Sequence, residues 1–150
     1  MATTIIEYIA QNILTTLSGV TTGAGYNYTI IPSRHHQIGD KPQHLGVIVH
    51  QGDPQELVNS NAKQEWMAPF ELECYVIQSE SDTTPTDQYL NNLWGDIAKA
   101  ILTDRTRGAY AIDTFVRKPE FFRNLDGSFE GITILVEVHY RTQLDNPFSL

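Results

Sequence analysis

Histidines, a single cysteine and a bunched set of arginines and aspartates are the residues of this chain with chemistry to offer. His35 and His36 are adjacent, and neighbours on an extended chain point to opposite sides, so they do not form a ready metal pair. HExxH is absent, as is any pair of His with a carboxylate at helical spacing among His44, His50 and His139. Cys74 is the only cysteine, which excludes an internal disulfide and a cysteine-based zinc site. It alternates with Phe70, Leu72 and Val76 on the apolar side of a strand-like run, where it acts as a small hydrophobe. No GxSxG occurs, and Gly19, Gly23 and Gly25 form neither a P-loop nor a GxGxxG after a strand. Glu71 and Glu73 fall on the polar side of the Cys74 run as solubilising charge. These residues point to no catalytic, cofactor or metal site, and the expectation is a protein that is not an enzyme.

The arginines and aspartates are the remaining candidates. In "ILTDRTRGAYAIDTFVR", an apolar helical stripe runs into Asp104, Arg105 and Arg107, and a strand then carries Asp113 and Arg117. "VEVHYRTQLDNP" adds Arg141 near the end of the chain. Basic groups at a helix C-terminus meet the dipole favourably, and Gly108 suits the positive φ of a helix stop. Salt bridges across a subunit interface and ordinary surface charge account equally well for the set.

The elements that must position these residues follow from periodicity. Ile5, Ile6, Ile9, Ile13, Leu14 and Leu17 recur at spacings of three and four, predicting a helix over 5–17 with a Thr4/Glu7 capping box and a stop at Gly19. "TTGAGYN" reads as a turn region. "YTIIP" and "LGVIVHQ" read as strands, separated by a long polar loop at 32–44, and 51–65 reads as a second long polar loop. "WMAPFELECYVIQ" alternates as a half-buried strand. A second helix is expected to be capped by Thr84, with Pro85 and Asp87 in its first turn and an apolar stripe of Leu90, Leu93, Trp94, Ile97, Ala98 and Ile101. "AIDTFVR" and "FFRNLDGSFEGITILVEVHYRT" complete the strands, with Asp126-Gly127 as a hairpin turn. The pattern predicts one α+β domain over 1–150, a mainly antiparallel β-sheet with two main helices packed on one face.

Ten basic residues against eighteen acidic ones give a formal charge of −8. The balance holds in both halves, with three basic and seven acidic groups in 1–75 and seven and eleven in 76–150. That balance argues against a groove that grips DNA, because nucleic-acid affinity rests on neutralising phosphates. No apolar run approaches bilayer length, and "MATTIIEYIAQNILTTL" lacks a basic leader region and is interrupted by Glu7, so a soluble intracellular protein with no membrane partner is expected.

The phrases "LNNLWGDIAKAILTDRTRGAYAIDT" and "ILVEVHYRTQLDNPF", in this order around a strand hairpin, resemble the tail terminator and tail-completion (neck) proteins of long-tailed bacteriophages. The resemblance covers most of the chain and is strongest over 87–148. It implies an α+β subunit of a hexameric ring at the head-proximal end of the tail tube, where the ring ends tube growth and joins tail to head. The implied partners are further copies of the chain, the major tail tube protein and a head-closure or neck protein, with DNA passing through the lumen unbound and no cofactor. The implied place is the virion, after assembly in the bacterial cytoplasm. A head-closure or head-tail adaptor protein is the neighbouring alternative, and a small enzyme with no recognisable site is a further one. On this resemblance Asp104, Arg105, Arg107, Asp113 and Arg141, with Arg34 from the long loop, are expected at or near a subunit or tube-facing seam. Charge reversal at Arg107 is expected to disturb assembly and leave the fold intact.

Overall fold

The computed structural model describes residues 1–34, 42–60, 62–125, 127 and 129–150. Its helices are α1 (Ile5–Ser18) and α2 (Thr86–Thr103). The strands are β1 (Ile31–Ser33), β2 (Gly46–Gln51), β3 (Gln55–Asn59), β4 (Lys63–Val76), β5 (Asp113–Val116), β6 (Glu120–Arg123) and β7 (Glu130–Gln143). They form one sheet in the order β1-β2-β4-β7-β5, with β3 also on β4 and β6 also on β7. Every pair is antiparallel except the short β1–β2 pair. The fold is α+β, as the sequence pattern implies. His35, His36, Gly39 and Asp126 lie outside the described residues.

Alternation sets the two faces of the sheet. Phe70, Leu72 and Cys74 of β4 and Ile132, Ile134, Val136 and Val138 of β7 are fully buried on one side. They join Ile5, Ile9, Ile13 and Leu17 of α1 and Leu90, Leu93, Ile97 and Ile101 of α2 in one cluster, so both helices lie on that face. The four large residues of α2 alone contribute on the order of 6–12 kcal/mol of gross burial, before ordering entropy. The other face of the sheet carries the charged residues.

The helix ends show where local rules were modified. Thr4 caps α1 by accepting the Glu7 N–H at 3.3 Å. Glu7 does not return the second bond of a capping box. Its carboxylate takes both guanidinium nitrogens of Arg34, at 2.7 and 3.2 Å, and Gln11 Nε2 at 3.1 Å. At α2 the expected Thr84 cap gives way to Pro85, which makes no side-chain cap bond. The Thr84 carbonyl instead accepts from Gln78 Nε2 at 2.7 Å, and its N–H donates to Asp82. The buried stripe also turns slightly: Ala100 and Asp96 are inside while Trp94 and Ala98 lie at the margin. Asp96 is satisfied by Asn27 Nδ2 at 2.9 Å and the Tyr28 N–H at 3.0 Å, which pins the loop after α1 to α2.

The polar stretch 51–65 is the largest departure from expectation. It is not a free loop: residues 55–59 form β3, and β4 starts at Lys63. β2 and β3 run along the same edge of β4, broken at Gly52–Pro54 opposite Pro69. Proline within a strand normally removes a ladder bond. The Pro69 carbonyl faces the break, accepting from Gly52 N–H at 2.8 Å, so its nitrogen also faces the break and no ladder bond is lost. The opposite edge of β7 is divided likewise, between β5 and β6 at Arg117–Pro119.

On the charged face, Tyr75 is nearly buried under Phe122 and Phe129, whose rings meet it edge-on at 5.7 and 5.5 Å. The space comes from Gly131, where a Cβ would run into the Cys74 carbonyl oxygen and the Phe122 ring. Gly131→Ala should therefore lower stability by about 1–3 kcal/mol through overpacking, read as a drop in the urea midpoint with an unchanged slope.

Candidate functional site

The turn after α2 organises the arginines and aspartates. α2 ends at Thr103, and its last carbonyls have no partners within the helix. Asp104, the C-cap, turns its carboxylate forward: Oδ1 accepts from the Thr106 N–H and hydroxyl at 3.0 and 2.7 Å, and Oδ2 from the Gly108 N–H at 2.7 Å. These donors, the Thr106 hydroxyl first and the Gly108 N–H next, hold its carboxyl below the usual range. Three consecutive residues, Arg107, Gly108 and Ala109, have positive φ (49°, 69° and 73°). This left-handed run reverses the chain and sends the Arg107 side chain back beneath the helix.

Arg107 is fully buried. Its Nη2 donates to the carbonyls of Ile101 and Asp104, closing the helix end with a cation where the dipole favours one. Burial pushes its guanidinium pKa down, and the Asp104 carboxylate opposes that. Nε and Nη1 find no protein acceptor among the described residues. Arg107 is thus part of the fold's interior, and the expectation that its charge reversal would spare the fold does not survive its burial.

Two residues earlier, Arg105 points to the charged face of the sheet. It clasps Asp113 with Nε–Oδ1 at 2.6 Å and Nη2–Oδ2 at 3.0 Å. The pairing lowers the Asp113 pKa and raises that of Arg105. The Arg105 carbonyl accepts from Thr114 Oγ1 at 2.7 Å, tying the turn to β5. Phe115 carries two guanidiniums near its ring, Arg105 at 5.8 Å and Arg117 at 5.2 Å, and Arg117 also pairs with Glu137 at 2.7 Å.

Strand register brings the last arginine beside them. Asp113 is opposite His139, and Arg141 follows two residues on, on the same face. Glu65 of β4 receives Arg141 Nη2 at 2.6 Å and lies 3.0 Å from His139 Nε2. The Arg141 bond, then the His139 bond, holds the Glu65 pKa below its usual value. The structure therefore gathers Arg105, Asp113 and Arg141 into one charged patch and leaves Asp104 in the adjoining turn. It buries Arg107 and places Arg34 elsewhere, on Glu7 of α1. The patch members missed from the sequence are Glu65, His139, Glu137 and Phe115. The alternation of β7 pointed to residues 137 and 139, while Glu65 was hidden because 51–65 read as a loop. His44 is also structural: its Nδ1 accepts the Ile77 N–H at 3.0 Å.

Comparison with protein-family models finds no match to this chain, and comparison with curated proteins finds none either. Among the described residues no group of three His, Cys, Asp or Glu is placed to hold a metal ion, and no helix is long and apolar enough to cross a membrane.

The turn makes two separable predictions. Arg107→Glu should cost about 3–5 kcal/mol in urea unfolding, because it puts an unpaired anion among helix-end carbonyls. Arg105→Ala, on the exposed side, should leave the urea midpoint nearly unchanged. Asp104 predicts a pH effect. A carboxyl held below its ordinary value gives its full stabilisation above about pH 3.9 and loses it as pH falls through the lower folded value. Acid unfolding of Asp104→Asn, followed by circular dichroism, should therefore depend less steeply on pH in that window than that of the parent chain.

Proposed function

We propose that this chain is a structural subunit of a tailed bacteriophage virion. In this reading it forms a hexameric ring at the head-proximal end of the tail tube, ends tube growth and joins the tail to the head or neck. It performs no chemistry and takes no cofactor. Its partners are other copies of itself, the tail tube protein and a head-closure or neck protein, and DNA passes through the lumen without being gripped.

One observation carries the reading. The two stretches that resemble tail terminators, the α2–turn–β5 segment and the end of β7, meet on the charged face, with Asp113 opposite His139 and Arg141 two residues on. The Arg105–Asp113 clasp and the Arg141–Glu65 pair fix planar, directional charge where a neighbouring subunit or the tube would read register. A formal charge of −8 suits a protein that lets DNA pass.

Light scattering behind size exclusion, over a range of concentrations and with isolated tail tubes added, tests this. The expected species has six times the 16.9 kDa subunit mass, about 101 kDa, alone or bound to tube ends. A chain that stays at 16.9 kDa in both settings overturns the reading.

A further inference from the structure

Among the described residues the sheet has three open edges, and they are not alike. β1 carries Pro32 at its centre, a residue that blocks pairing. β3 has no proline, and its one irregularity is a register shift between Glu56 and Val58. All five of its residues are exposed, Leu57 and Val58 at 47% and 53%, and neither proline nor lysine lies within it. On the far side of the sheet, β6 is also free of proline, and Phe121 is 55% exposed there. Exposed apolar side chains on an edge strand that lacks proline and lysine form a template for another strand.

The charges of these two edges are opposite. Asp53 and Glu56 lie along the β3 edge, and no Lys or Arg occurs between residues 42 and 62. Five of the chain's ten basic residues fall between 105 and 123, against two acidic ones. Except for buried Arg107, they lie outermost. Arg123 is 72% exposed over a Glu130 that is 23% exposed, and Arg117 is 52% exposed over Glu137 at 24%. The β5–β6 edge therefore presents Arg117, Lys118 and Arg123 outward over the β7 carboxylates Glu137 and Glu130, with Glu120 as its one exposed acid.

We propose that the partner of the β3 edge is the β5–β6 edge of a second copy of this chain, so that one sheet continues into the next. This rests on the ring reading and gives it a seam. The two edges differ, so the contact is head-to-tail, the type that closes into a ring. Val58 meets Phe122 on the outer face, and Glu56 and Asp53 meet Arg123 and Lys118. Phe121 shares a face with Ile132, on the helix side of the sheet. On that side, next to β3, a groove of about 440 Å³ opens between Ile6, Pro54, Trp66, Tyr140 and Pro147. Phe121 of the neighbouring copy covers this groove.

Val58 and Glu120 are exposed and share the outer face, opposite Glu65 and Thr133. The chain's own Cys74 is buried and does not compete for thiol reagents. A Val58→Cys/Glu120→Cys double variant, assembled alone or on tail tubes and treated with a short bis-maleimide, should give a ladder of linked species up to six. Each single variant should give none, and a mixture of the two should give linked pairs. Assembly by light scattering without any ladder overturns the seam and leaves the ring reading standing. Linking by either single variant alone also overturns the seam, because it marks a symmetric contact. A chain that neither assembles nor links, with or without tubes, overturns both.

Discussion

The pairing of β4 with β7 is the constraint on which the rest depends. It runs unbroken for fourteen residues, from Lys63 opposite Gln143 to Val76 opposite Glu130. Side chains alternate strictly along such a pair, so this one ladder assigns one face to the helices and the other to charge. A slip of one residue in β4 would turn Phe70 and Leu72 outward and Glu65 and Glu73 inward, and the same slip in β7 would expose Val136 and Val138 and bury Glu137. Both flanking edges are then read off the central pair: β2 and β3 on β4, β5 and β6 on β7. Pro69 also belongs to this logic. It costs nothing in the ladder because its nitrogen faces the one place where the neighbouring strand is interrupted.

What could be read from the sequence was what periodicity controls. α1, α2, the alternating halves of β4 and β7 and the α+β architecture followed from apolar spacing, because burial on one face leaves that imprint. β3 left none. All five of its residues are exposed, so "QELVN" has no buried face to pattern it, and only pairing with β4 makes it a strand. Missing β3 also hid the first residues of β4, and with them Glu65. The α2 cap was misassigned for a related reason. Thr84 has the right chemistry for a cap, but its backbone is already engaged by Gln78 and Asp82, so the helix begins one step later.

The charged set shows why bunching in sequence is a poor guide to clustering in space. Arg105 and Arg107 are two residues apart and have opposite fates, one exposed on the sheet face and one sealed under the helix. The difference arises in the backbone, where three successive left-handed residues swing the second arginine inward. The sequence supplied only Gly108 as a sign of that turn. Arg107 and Ala109 adopt the same region at a steric cost that the Asp104 hydrogen bonds and the buried guanidinium together offset. Asp113 and Arg141, by contrast, are 28 positions apart in sequence and lie two register steps apart in the sheet.

The internal pairing of these charges limits what they contribute to any assembly. Arg34, Arg105, Arg117, Arg123 and Arg141 each already hold a carboxylate of their own chain. An exposed pair of this kind gains little, and a partner that takes one of its members must first break it. Charge on this surface therefore selects orientation and rejects wrong partners more than it supplies affinity. The driving force for association must come from surface that gains by leaving water. At the proposed seam that surface is Leu57, Val58 and Phe121 and the groove beside Trp66. A short edge-to-edge contact is weak by itself, but in a closed ring every subunit makes it twice, and the last contact forms without the cost of bringing in another free subunit. On the proposed ring reading, weak seams that hold only on closure would confine assembly to one place, the end of a finished tube.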